Sequence, residues 1–134
     1  MNDPVKISEK WLEAMNEHDV DGMSVLCWED AVGEEIAEPI LSRGWEQIAK
    51  SYRELFTAFP DCTCNIENIF SGHGQVLAEV RWKGTNRGDF RGIPATGKVV
   101  DVKIAYVFKI FDKKIIKITE YYDGAAVARQ LGLS

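Results

Sequence analysis

Apolar residues recur at helical spacing in two stretches of the first sixty residues. Ile7, Trp11, Ala14 and Met15 form one stripe, with Val5 and Leu12 at its flanks. Positions three and four apart share a helix face, so the stripe reads as an amphipathic helix. Asp3-Pro4 offers an N-cap acceptor and then a proline at the first helical position. The pattern runs out near Asn16 to His18. A short second helix is expected over Val20, Met23, Leu26 and Cys27, capped by Asp19 or a neighbour. Trp28 to Arg43 is less regular: an extended stretch around Ala31 to Ala37, then a loop containing Pro39. Trp45, Ile48, Tyr52, Leu55, Phe56 and Phe59 make the strongest stripe, and Pro60-Asp61 stops it.

Beyond that proline the period changes to two. Cys62, Cys64, Ile66 and Phe70 are expected on one face, interrupted by Asn68. Ser71 to Gly74 turns the chain, and Val76, Ala78, Val80 and Trp82 alternate with polar residues. A polar, glycine-bearing loop spans Gly84 to Gly97. Val102, Ile104, Tyr106, Phe108 and Ile110 then alternate, Phe111 to Lys114 turns, and Ile115 to Asp123 forms the last strand before a short helix from Ala125 to Leu131. Helices first and hairpin-linked strands afterwards predict an α+β domain whose antiparallel sheet is covered by the helices.

The chain has 134 residues, which fits one domain over 1–134. Its net charge of −5 disfavours nucleic acid as a partner. No apolar run approaches the roughly 20 residues of a membrane span, and no signal segment is apparent, so a cytoplasmic protein is expected. The lysines between Lys98 and Lys117 read as a solvated face. Cys27, Cys62 and Cys64 are an odd set, expected as reduced, buried hydrophobes. His18 and His73 fall in turns and are expected at the surface. No metal motif, phosphate loop, nucleophile elbow or dinucleotide fingerprint is present. Neither a metal nor a cofactor is expected.

Several segments, in order along the chain, resemble those of nuclear-transport-factor-2-like domains. They are Lys10-Trp-Leu-Glu-Ala-Met-Asn-Glu-His-Asp19, Ser42-Arg-Gly-Trp-Glu-Gln-Ile48, Gly88-Asp-Phe-Arg-Gly-Ile-Pro-Ala-Thr-Gly97, Phe111-Asp-Lys-Lys-Ile115, Glu120-Tyr-Tyr-Asp123 and Gln130-Leu-Gly132. Together they are similar to the SnoaL-like polyketide cyclase and ester cyclase branch. The resemblance implies a cone: a curved antiparallel sheet packed against N-terminal helices around a central, mostly apolar pocket. It implies a small hydrophobic molecule as ligand and a homodimer formed through the outer sheet face. It leaves the activity open, because members of the superfamily range from cyclases and isomerases to non-catalytic proteins.

An enzyme of this kind needs a carboxylate whose pKa is raised by an apolar cavity, and donors that meet a developing oxyanion. Glu120 is the leading acid. It shares strand parity with Ile116, Ile118 and Tyr122, and the resemblance places acid/base work on the last strand. The alternative is an outward side chain or a pairing with Arg81. Asp123 is a second catalytic candidate, with helix capping as its competing role. Glu35 is a third acid, in competition with Glu34 and Glu38. Tyr106 is a candidate hydrogen-bond donor. Trp11, Trp45, Tyr52, Phe56, Trp82, Phe90 and Tyr122 are candidate pocket walls, with simple core packing as the alternative, and Arg81 is a candidate for orienting a carboxylate. Ketosteroid isomerase pairs its base with a first-helix tyrosine and a later aspartate; here Trp11 stands at the first and no acid at the second. The epoxide hydrolases hold an arginine between two aspartates, and Arg81-Trp82-Lys83 does not reproduce that triad. The expected function is therefore cofactor-free acid/base chemistry of cyclase or isomerase type on a small hydrophobic carbonyl compound. The alternatives are a non-catalytic small-molecule-binding domain and a dimerising interaction module.

Overall fold

The computed structural model describes residues 3–133. Four helices and six strands follow one another as α1 (Pro4–Asn16), α2 (Val20–Ser24), β1 (Cys27–Glu35), β2 (Ile40–Arg43), α3 (Trp45–Ala58), β3 (Thr63–Gly72), β4 (Gln75–Thr85), β5 (Val99–Phe111), β6 (Lys114–Tyr121) and α4 (Gly124–Gln130). The strands form one sheet in the order β2-β1-β6-β5-β4-β3. All neighbours are antiparallel except β1 and β6, which run parallel. The α+β class with helices covering the sheet is as expected from the hydrophobic pattern.

Helices α1, α2 and α4 begin where an aspartate side chain satisfies a free N–H group. Asp3 accepts from the Val5 N–H at 2.9 Å and Asp19 from the Gly22 N–H at 2.9 Å. The start of α3 differs: Gly44 holds a φ of 86°, and Gln47 reaches back to accept the Arg43 N–H at 2.8 Å. The inner faces of α1 and α3 meet the inward residues of β4 and β5. Trp11 is wholly buried and packs edge-on against Tyr52, Tyr106 and Phe108, with centroids 5.3 to 6.0 Å away. Val76, Ala78, Val80 and Trp82 are buried in alternation with exposed neighbours, as their period of two requires. The turns at His73-Gly74 and Asp112-Lys113 have positive φ at both central residues, which matches the right-handed twist of the strands they join.

Three expectations need correction. Trp28 to Arg43 contains a second strand, β2, paired with β1 from Val32↔Arg43 to Glu35↔Ile40, and β1 already begins at Cys27. Phe70 does not share the face of Cys64. A bulge between Ile66 and Asn68 adds one residue, which moves Ile69 to the inner face and leaves Phe70 59% exposed beside Leu77. His18 is half-buried rather than free at the surface: its ring stacks on Phe56 at 4.2 Å and its Nε2 lies 3.0 Å from the Cys62 carbonyl oxygen.

Candidate functional site

The parallel pairing of β1 with β6 sets the position of the site. Glu35 stands opposite Glu120, and Glu120 stands opposite Tyr106 on β5. One row across three strands therefore carries two carboxylates and a phenol. That row forms the polar end of a cavity of about 90 Å³ whose other walls include Leu55, Phe59, Trp82, Phe90 and Val102. The space is smaller than the roughly 150 Å³ that encloses a benzene ring. A ring-sized or larger ligand therefore needs more room than this space provides.

The two carboxylates are held differently. Glu35 takes a bidentate ion pair from Arg91, with nitrogen–oxygen distances of 3.1 and 2.6 Å, and accepts a hydrogen bond from the Tyr122 hydroxyl. Among the described residues no cation pairs directly with Glu120. Burial, and then the charge of Glu35 beside it, push its carboxyl from the usual 4.5 up to about 7; the neighbouring Tyr106 and Tyr52 hydroxyls and the charge of Arg91 hold it from rising further. Glu120 is half-buried, and its side chain lines the cavity. Burial first, and then the charge of Glu120, hold the Tyr52 and Tyr106 phenols well above their usual range, so both stay protonated and able to donate. The Tyr106 hydroxyl also lies 3.6 Å from the Met15 sulfur. Two acids side by side, one neutralised by a cation and one near-neutral in an apolar cavity, are set up for distinct roles.

Arg91 reaches the site from the segment between β4 and β5. Asn86, 2% exposed, organises that segment: its Oδ1 accepts from the Thr96 N–H at 2.8 Å and its Nδ2 donates to the Gly88 carbonyl at 2.8 Å. Gly88 presses on α3 so closely that a Cβ there would meet the Thr57 carbonyl oxygen at 2.7 Å. Phe90 and Ile93 bridge to each other, which leaves Arg91 at the tip with a φ of 50° and its guanidinium 4.7 Å from the Phe90 ring centre.

The structure brings Glu120, Tyr106, Glu35, Tyr52, Trp82, Phe90 and Tyr122 to this cavity. It puts five other candidates elsewhere. Trp11 and Trp45 are core residues packed under the helices, and Phe56 stacks on His18. Arg81 lies on the outer face, 3.3 Å from Asp101 and 3.9 Å from Glu67, because it alternates with the inward Val80 and Trp82. Asp123 caps α4, its Oδ1 accepting from the Ala126 N–H at 3.1 Å. Asp123→Ala should therefore lower stability by about 1 kcal/mol in chemical denaturation and leave ligand binding in the cavity unchanged. Glu34 pairs with Lys117 at 3.4 Å, and Glu38 is exposed. Arg91, within the Gly88–Gly97 segment, and Ser51 are cavity residues that were not among the candidate site residues. The three thiols are free, and burial pushes each up to about 12, which leaves them inert as nucleophiles. Among the described residues no group of three His, Cys, Asp or Glu side chains is placed to hold a metal ion. No described helix is long and apolar enough to cross a membrane.

Residues 5–131 match the family described as SnoaL-like polyketide cyclase. No curated protein matches the chain in sequence. Among solved structures, a candidate SnoaL-like polyketide cyclase from Jannaschia sp. CCS1 superposes with a TM-score of 0.86 at 22% identity, covering 98% of this chain and 96% of its own. IdmH, a candidate polyketide cyclase from Streptomyces antibioticus, gives 0.83 at 23% identity over 97% of this chain and 99% of its own. A protein of ketosteroid isomerase-like fold from Catenulispora acidiphila, crystallised with trimethylamine, gives 0.82 at 19% identity over 96% and 93%. At these identities the likeness is one of fold.

Proposed function

Since the chain belongs to the SnoaL-like polyketide cyclase family, we propose that it is a cofactor-free acid/base catalyst acting on a small hydrophobic carbonyl compound, with Glu120 moving the proton. The observation that carries this reading is the placement of the Glu120 carboxyl in an apolar cavity beside Glu35 and the Tyr52 and Tyr106 phenols, a burial that pushes its pKa up to about 7. A base poised near the working pH removes a proton from a carbon acid most effectively. Glu120 takes the proton next to the carbonyl, and the electron pair moves onto the carbonyl oxygen. The Tyr106 and Tyr52 hydroxyls donate to that oxygen as its charge grows. The protonated Glu120 then returns the proton, either to another carbon or to the alkoxide formed when the enolate carbon attacks a second carbonyl of the same molecule. A simple carrier has no need for a near-neutral acid at this place.

The test needs no knowledge of the natural substrate. Small 1,3-dicarbonyl compounds are incubated with the protein in D₂O, and loss of the α-proton signal is followed by proton NMR. Exchange faster than with buffer and a heat-denatured control is expected. A rate equal to those controls across esters, ketones and ring compounds would remove the catalytic reading.

The same proposal includes a homodimer through the outer sheet face, where Phe70 and Leu77 are paired across β3 and β4 and are 59% and 37% exposed. Sedimentation should give a dimer mass that Phe70→Glu shifts to the monomer; a wild-type monomer at all concentrations would refute it. Three free, buried thiols suit a reducing compartment, and we place the protein in the cytoplasm.

A further inference from the structure

Behind the carboxylate row lies a second, smaller chamber of about 30 Å³, between α3 and the paired strands β1 and β2. It shares Glu35, Ser51, Tyr52 and Glu120 with the main cavity, and Ser42 adds a further hydroxyl from the edge strand. Its floor is Gly33, opposite Ser42 in the β1–β2 register, and Ile48 closes it from α3. The Ser51 hydroxyl already donates to the Ile48 carbonyl at 2.8 Å, so its oxygen remains free to accept. A site that holds one water needs room of about 10–15 Å³ or more and two to four polar partners. This chamber supplies both, on the side of Glu120 away from a ligand in the main cavity.

We propose that the side chamber is a water site, in which one ordered water bonds to the back of the Glu120 carboxyl and exchanges its proton with solvent at the β2 edge. The relay role rests on Glu120 being the proton-transfer group; the water site itself does not. The balance is simple. Glu120 acquires a proton from the substrate carbon and passes it to the water, which releases one of its own toward Ser42 and solvent. The reverse sequence reprotonates Glu120. Access from behind lets the proton held on Glu120 exchange with solvent while the enolate still fills the apolar cavity. The charged and titratable groups around Glu120 and the chamber are Glu35 and Glu34 on β1, the latter paired with Lys117 on β6, Tyr52 on α3, Cys64 on β3, Arg91 on the loop, Tyr106 on β5 and Tyr122 after β6. None of these needs to be altered to test the chamber.

Gly33 provides the test. A Cβ there meets the Ile48 side chain, 3.2 Å from Cγ1 and 3.5 Å from Cδ1, so Ile48 must give by a few tenths of an ångström, and Gly33 has no left-handed backbone to strain. Gly33→Ala fills the chamber without touching either carboxylate. Ser42→Val fills it from the neighbouring strand and serves if the first variant folds poorly. A high-resolution crystal structure of the wild type should show one water within hydrogen-bond reach of Glu120, absent in either variant. Carbon-13 NMR titration of the glutamate side chains should show the Glu120 midpoint rise by about one unit in the variants, because the anion loses one charge-assisted hydrogen bond. A dry chamber in the wild type, or the same Glu120 midpoint in wild type and both variants, would overturn the proposal. Neither readout depends on turnover, so failure of the catalytic reading and failure of the water site remain distinguishable.

Discussion

Glu120→Gln is expected to lower catalysed α-proton exchange by about 10²–10⁴-fold, the usual contribution of a positioned general base, while the fold survives. The amide keeps the shape of the side chain and its carbonyl can still accept a hydrogen bond, but it cannot take a proton. Stability separates this effect from simple damage. The folded chain holds the Glu120 carboxyl at about 7 against a usual 4.5. Between those values the folded state binds more protons than the unfolded state, so stability falls as pH rises. Below about 4.5 both states are protonated and nothing is lost; above about 7 the loss is complete. Its size is on the order of 3 kcal/mol. Glu120→Gln has no charge to bury, so it should be more stable than the wild type at pH 8 and similar at pH 4. Thermal unfolding at the two values checks this. An inactive variant that is also less stable at pH 8 would mean that Glu120 is structural.

Arg91→Ala carries the second large effect. The guanidinium is the counter-charge of Glu35, and removing it leaves a carboxylate at the cavity wall with only the Tyr122 hydroxyl. Breaking a fully buried pair costs roughly 3–5 kcal/mol. The Arg91 side chain is 33% exposed, so solvent screening reduces the expected loss to about 2 kcal/mol. The chemistry should respond as well. Arg91 favours the Glu120 anion, whereas the charge of Glu35 opposes it. The ascending limb of the pH–rate profile should therefore move to higher pH in Arg91→Ala. Arg91→Lys keeps the charge but not the two-point fork, and should recover part of the shift and less of the stability. A profile that stays in place while stability drops would show that the pair only fastens the loop.

Much of this fold was readable from periodicity, because alternation along a strand determines which side chains share a face. Glu120 was readable in that way: its parity with Ile118 and Tyr122 put an acid on an apolar face, where it sits opposite Tyr106. The same logic put Trp82 inward. It failed at Phe70, since one bulged residue reverses every later side chain and nothing in Ile66 to Asn68 announces it. The edge strand β2 was missed because four residues after a proline carry too little alternation to be recognised. A helical stripe, in turn, shows that a residue faces inward but not what it meets there. Trp11, Trp45, Phe56 and Tyr52 looked alike in the sequence, yet only Tyr52 lines the cavity. Asp123 had both a capping and a catalytic reading, and its geometry is that of a cap. Arg91 was the least legible. Its place depends on the Asn86 hydrogen bonds, the tight approach of Gly88 and a left-handed residue at the loop tip, and none of these has a periodic signature.

The central claim is that this cavity holds a near-neutral carboxyl at Glu120 beside a neutralised one at Glu35. Carbon-13 NMR titration of the side-chain carboxyls in the ligand-free protein, assigned with Glu120→Gln, tests it most directly. The resonance lost in that variant should titrate with a midpoint near 7. A midpoint in the ordinary carboxylate range, near 4.5, would mean that Glu120 is solvated and would contradict the account.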